Sequence, residues 1–170
     1  MISVRVTGRG EAEYEGSRLF GDPVVPEKWA DREPWSEDCW FIGQIVMSDL
    51  KGMTDGMLPE TGIMYLFFDE DSQQVKVLYT DEEPDTIYED CNMGFEEVPY
   101  DLFTDYVLEF SEGEGRTRML GRRGGDIELI SFDPGSYEAT LFADHSRVTV
   151  LISEADLRER RYGNARTVLE

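Results

Sequence analysis

Apolar residues in this chain come in short runs, and run length limits what such a chain can fold into. The runs are "MISVRVTG" (residues 1–8), "CWFIGQIVM" (39–47), "IMYLFFD" (Ile63–Asp69), "VKVLYT" (75–80), "DYVLEFSE" (105–112), "IELISFD" (127–133), "YEATLFA" (137–143) and "RVTVLIS" (147–153). They are rich in β-branched and aromatic residues and lie between segments carrying Gly, Pro, Asp and Ser, which is strand chemistry. Each falls short of the ~10–12 residues of an ordinary buried helix. The alternating run 75–80 pairs naturally with Ile63–Asp69 as a hairpin. In 105–112, Val107 and Glu109 share one face, and Leu108 and Phe110 face the core. The expected fold is α+β and mostly β: antiparallel sheets of about seven or eight strands, few short helices and a C-terminal helix.

The remaining segments are punctuation. "GDPVVPEKW" has two prolines and a Gly-Asp-Pro turn signal, and "ADREPWSED" continues it as a loop. "SDLKG" reads as a helical turn. "GEGRTRMLGRRGGD" reads as a glycine-rich basic connection. In "SEADLRERRYG", Ser153 and Asp156 form a capping box, acids open the helix, arginines close it and Gly163 stops it. No linker divides the chain, so residues 1–170 are expected to form one domain.

Charge bounds the partners. The chain has 37 acidic and 16 Lys or Arg residues, a net charge of −21. Residues 1–115 hold 28 acids and 7 bases, whereas residues 116–170 hold nine of each. Such a surface repels phosphate backbones and anionic lipid, so neither nucleic acid nor membrane is an expected partner. It attracts basic proteins. Acids are densest over residues 69–114, with 16 acids and one base, Lys76. Within that stretch Asp81, Glu82, Glu83 and Asp85 are the candidate binding acids. The first residues have no basic start followed by an apolar core, and no run reaches the ~18 residues of a membrane helix, so a cytoplasmic protein is expected.

Catalytic and cofactor signatures are weak. "TGRGEAEYEG" offers a Gly-x-Gly, but Glu13 stands where the third glycine of a dinucleotide fingerprint belongs. "GRRGGD" has no Lys-Ser or Lys-Thr after it. It reads as a turn, with Arg122 and Arg123 as possible anion contacts. "DEDSQQ" starts like a calcium loop but lacks the sixth-position glycine and the twelfth-position glutamate. The single histidine, His145, sits in a turn beside Asp144 and Ser146, whose side chains diverge, so it makes no triad. Cys39 and Cys91 are expected to be buried thiols. No catalytic residue, metal ligand or cofactor is singled out.

Two features of the first third carry the binding candidates. Trp29, Trp35 and Trp40 fall within twelve residues. They either cover one end of the core or line a ligand cleft. Gln44 interrupts the apolar run 39–47. A glutamine there is best used as a buried amide tying its strand to the 17–29 segment, whose prolines leave backbone groups unpaired. A ligand contact is the alternative.

The surroundings of Gln44 resemble the YwqG-like family of uncharacterised bacterial proteins. "SRLFGDPVVPEKW" is similar to that family's N-terminal segment through Ser17, Gly21, Pro23 and Pro26. "CWFIGQIVMSDL" matches its glutamine strand through Phe41, Gln44, Ile45 and Leu50. "LPETGIMYLFFD" matches through Leu58, Pro59, Gly62, Phe67 and Phe68, and the closing strand and helix through Ile152, Asp156, Leu157 and Tyr162. The resemblance implies a β-rich, pseudo-repeated fold and a setting of toxin–immunity systems, with no catalytic residues to carry over. Sequence and resemblance together lead to a non-enzymatic, immunity-like protein-binding module that uses its acidic face. The alternative is a small-molecule-binding protein or enzyme with a cleft near Trp29, Trp35, Trp40 and Gln44.

Overall fold

The computed structural model describes residues 1–10, 15–35, 39–88, 105–137, 142 and 144–170. The strands are β1 (Ile2–Arg9), β2 (Arg18–Leu19), β3 (Val24–Val25), β4 (Cys39–Val46), β5 (Ile63–Asp69), β6 (Gln74–Thr80), β7 (Thr86–Ile87) and β8 (Tyr106–Glu112), followed by β9 (Thr117–Met119), β10 (Gly121–Arg123), β11 (Asp126–Phe132), β12 (Val148–Ser153) and β13 (Arg166–Leu169). Among the described residues, two one-turn α-helices interrupt them, α1 (Glu27–Asp31) and α2 (Glu154–Arg158).

The fold is mostly β, and every strand pairing among the described residues is antiparallel, as expected. The strand number differs from the expected seven or eight. Among the described residues, eleven strands form one sheet, in the order β13-β12-β11-β9-β1-β8-β2-β4-β5-β6 with β10 paired to β11, and β3 and β7 form a separate pair. Six strands are additional: β2, β3, β7, β9 and β10 are two or three residues long, too short to show an alternation, and β13 has four residues. The basic connection 113–126 is thus partly strand.

The sheet curls until its two end strands meet. The Gln74 side chain accepts from the Thr167 N–H at 2.8 Å, and the Thr167 hydroxyl accepts from the Val75 N–H at 2.7 Å. Side chains from β13 and β6 thereby satisfy edge groups that would otherwise invite another chain. Register shifts in β1, β4 and β11 bend the strands that enclose the core. The enclosed core runs from Ile2 to Tyr162 and includes Trp40, Ile42, Met64, Leu66, Phe68, Leu108, Ile130 and Val150.

Strands β4 and β5 are buried on both faces, which is why they read as unbroken apolar runs. Trp40 and Ile42 point into the enclosed core. Cys39 and Phe41 point outward with Ile63, Tyr65 and Phe67 into a second cluster, capped by Val25 and Trp35. Gly43 lets β2 pass close by. A Cβ there would stand 2.7 Å from the Arg18 carbonyl oxygen and 2.9 Å from Leu19.

The expected hairpin forms between β5 and β6. Its turn uses Asp69, whose carboxylate accepts from the Asp71 and Ser72 N–H groups at 2.9 and 3.4 Å and lies 3.5 Å from Lys76. The start of the calcium-like "DEDSQQ" is therefore an Asp-anchored turn. Burial opposes ionisation of Asp69, but the two backbone N–H groups, the Ser72 side chain and Lys76 outweigh it and hold its pKa below the ordinary carboxylate value. A depressed folded pKa stabilises above the unfolded pKa and is lost as pH falls through the folded one. Wild type is therefore expected to exceed Asp69→Asn in denaturant stability at neutral pH, with the difference shrinking as the solution is acidified below the carboxylate range.

At the chain's end, Ser153 caps α2 as expected, accepting from the Asp156 N–H at 3.1 Å and donating to the Asp156 carboxylate at 2.9 Å. Two expectations are corrected. The helix stops at Arg158, with Arg160 at φ 58°, and Gly163 lies inside a later 3-10 turn, Tyr162–Asn164. The helix is also not the last element, because β13 follows and pairs with β12. The expected strand 137–143 lies mostly outside the described residues. Its start, Tyr137, closes a 3-10 turn, Pro134–Tyr137. No helix among the described residues is long and apolar enough to cross a membrane.

Candidate functional site

The site is built outward from Gln44. Its side chain is fully buried between β4 and the incoming chain. Its Oε1 accepts from the Val24 N–H at 3.0 Å, and its Nε2 donates to the Gly16 carbonyl at 2.9 Å. Opposite it on β5, the Tyr65 hydroxyl donates to the Val24 carbonyl at 2.5 Å, and burial pushes the Tyr65 pKa up against the pull of Arg18. Arg18, almost entirely buried, donates to the Asp22 carbonyl. Ser17 accepts from the Val46 N–H at 2.8 Å and donates to Asp49 at 2.7 Å. The segment 16–25 is held on β4 and β5 by polar side chains, which is the role expected of Gln44.

This anchored segment carries a second layer. Strand β3 pairs with β7, and the Tyr88 N–H donates to the Pro23 carbonyl at 2.9 Å. Helix α1 has no capping side chain of its own, since Pro26 precedes it. The Asp85 carboxylate serves instead, accepting from the Glu27 N–H at 3.0 Å. Lys28 pairs with Glu82, and the Tyr88 hydroxyl donates to Glu33. Segments 27–33 and 81–88 are thus clamped together.

Under the clamp lies an aromatic stack. Trp35 stacks on Phe67 with centroids 4.4 Å apart and meets Tyr88 edge-on at 5.4 Å, while Trp29 contacts Tyr65 at 5.2 Å and Trp35 at 6.5 Å. The structure does not bring the three tryptophans together. Trp40 points to the other face of β4, into the enclosed core, because its side chain alternates with that of Phe41. Trp29 and Trp35 stay beside the Gln44 anchor as cover for the outer face.

The clamp presents charge to solvent. Glu27, Asp31 and Glu33 from one segment, and Asp81, Glu82, Glu83 and Asp85 from the other, are exposed, against Lys28 and Arg32. Sequence density alone suggested one face over 69–114, and that is corrected. Glu70 and Asp71 sit at the far end of β6 from Asp81, Glu109 on β8 pairs with Arg5, and residues 89–104 lie outside the described residues. The contribution of α1 was not legible in the sequence, because nothing local links residue 27 to residue 85.

Other candidates take structural places. Cys39 is buried in the outer-face cluster and Cys91 lies outside the described residues. His145 is part-exposed in a turn, its N–H donating to the Phe142 carbonyl at 2.9 Å. Among the described residues no three His, Cys, Asp or Glu side chains converge in a metal-binding group. No protein-family model matches the chain, and no curated protein is significantly similar to it.

Proposed function

We propose that this chain is a non-enzymatic, immunity-like protein-binding module whose acidic face receives a basic protein partner. The observation that supports this is the clamp: seven exposed carboxylates stand on two segments fixed to each other by Lys28–Glu82, Asp85 and Tyr88–Glu33. A held face loses less side-chain and loop entropy on association than a free acidic loop would. The net charge of −21 extends its field and steers cationic partners. The same reading places the protein in the cytoplasm, away from nucleic acid and anionic lipid, and keeps the YwqG-like resemblance as its family assignment.

The alternative, a ligand cleft at Trp29, Trp35, Trp40 and Gln44, has less behind it. A ligand there would have to break the Trp35–Phe67 stack or the two Gln44 hydrogen bonds, and Trp40 lies on the wrong face. Association kinetics against a captured basic partner test the proposal. Raising salt should weaken the complex mainly by slowing association, because screening acts on the encounter. An affinity indifferent to salt would count against it.

A further inference from the structure

Away from the acidic face, arginines gather around a cavity of about 600 Å³. Its lining includes Arg116, Arg118, Arg122 and Arg147 against two carboxylates, Glu114 and Glu128. The volume is that of a small-molecule site. Four guanidiniums around one cavity repel each other, and in a chain so rich in acids carboxylate partners are abundant.

The four arginines are used unequally. Arg118 makes a two-pronged bond to the buried Glu128 at 2.7 and 3.2 Å and forms a neutral floor. Arg122 reaches Glu154 at 2.8 Å. Arg116 and Arg147 have no carboxylate partner among the described residues. Arg147 is nevertheless held in place. Its Nη1 donates to the Arg116 carbonyl at 2.9 Å and to the Ser131 hydroxyl at 3.0 Å, so its remaining N–H groups are left over. Gly121 keeps the floor open, since a Cβ there would lie 3.1 Å from a Glu128 oxygen.

We propose that this cavity binds a small molecule carrying at least two oxyanion groups, gripped by Arg116 and Arg147. Guanidinium forks match the paired oxygens of phosphate and carboxylate alike. Glu114, exposed at the rim, opposes such a ligand, so removing its charge should help binding.

The test is calorimetric titration of the whole chain with pyrophosphate and, separately, citrate, at constant ionic strength set by chloride. The expected result is saturable one-site binding of at least one of them. The tighter one tells a phosphorylated ligand from a polycarboxylate. Arg116 is exposed, so Arg116→Gln should fold normally, and losing one charge-assisted contact should weaken binding roughly tenfold. Arg147→Lys should also weaken it, because the charge stays and the fork is lost. Glu114→Gln should tighten it. No saturable binding of either anion at millimolar concentration, or equal binding by wild type and Arg116→Gln, would overturn the proposal.

Discussion

Gln44→Ala is expected to lower folding stability by about 2–4 kcal/mol, seen in urea unfolding as a lower midpoint at unchanged slope. The loss has separate sources. The Val24 N–H, buried with its residue, loses its acceptor and pays most of the cost of an unsatisfied donor. Gly16 is only half-buried, so its carbonyl recovers part of its loss from water. The vacated side-chain volume adds a cavity term. Gln44→Glu separates the donor from the acceptor role. It keeps an oxygen for Val24 but replaces the donor to Gly16 with a buried carboxylate. Burial raises that carboxylate's folded pKa, so its destabilisation should be largest at neutral pH and relax in mild acid, where the protonated group can donate again. A Gln44→Ala protein as stable as wild type would remove the anchor from the account and return Gln44 to the list of ligand contacts.

Phe67→Ala is expected to cost about 3–5 kcal/mol, the range for truncating a buried aromatic. Phe67 is fully buried, stacks on Trp35 at 4.4 Å and meets Phe41 at 5.4 Å. It therefore joins β5 to the layer that carries the acids. Its loss should also change the near-ultraviolet circular dichroism of the tryptophans, since Trp35 loses its stacking partner. Phe67→Leu refills much of the volume and should cost clearly less. If Phe67→Ala left both stability and the aromatic signal unchanged, the outer layer would not be packed as described.

Much of the fold could be read from the sequence wherever one element supplied its own signal. Strand β5 falls on the expected residues, and β4, β6, β8, β11 and β12 lie close to theirs, because period-2 alternation and β-branched content are local. Leu108 faces the core and Glu109 the solvent, as the alternation implied. The anchoring role of Gln44 was readable too, since an amide inside an apolar strand beside a proline-bearing segment has few other uses. What stayed hidden depends on distant pairs. Thr167 meeting Val75 closes the sheet, and Asp85 capping α1 sets the acidic face; neither leaves a trace in neighbouring residues. The tryptophan grouping misled because only Trp40 lies on a strand, where side chains alternate between opposite faces. Trp40 obeys that rule, and the run 39–47 already contained it.

The acidic clamp is the central claim, and a paired capture tests it most directly. Tagged wild type and a variant with Asp31→Asn, Asp81→Asn and Glu83→Gln would be incubated with host lysate at low salt and eluted by a salt step. These three side chains are exposed and take no part in the bonds that hold the clamp, so the variant should melt with wild type. The account predicts one basic protein released stoichiometrically from wild type and strongly reduced from the variant. Equal recovery of the same proteins from both, or no basic protein from wild type, would contradict it.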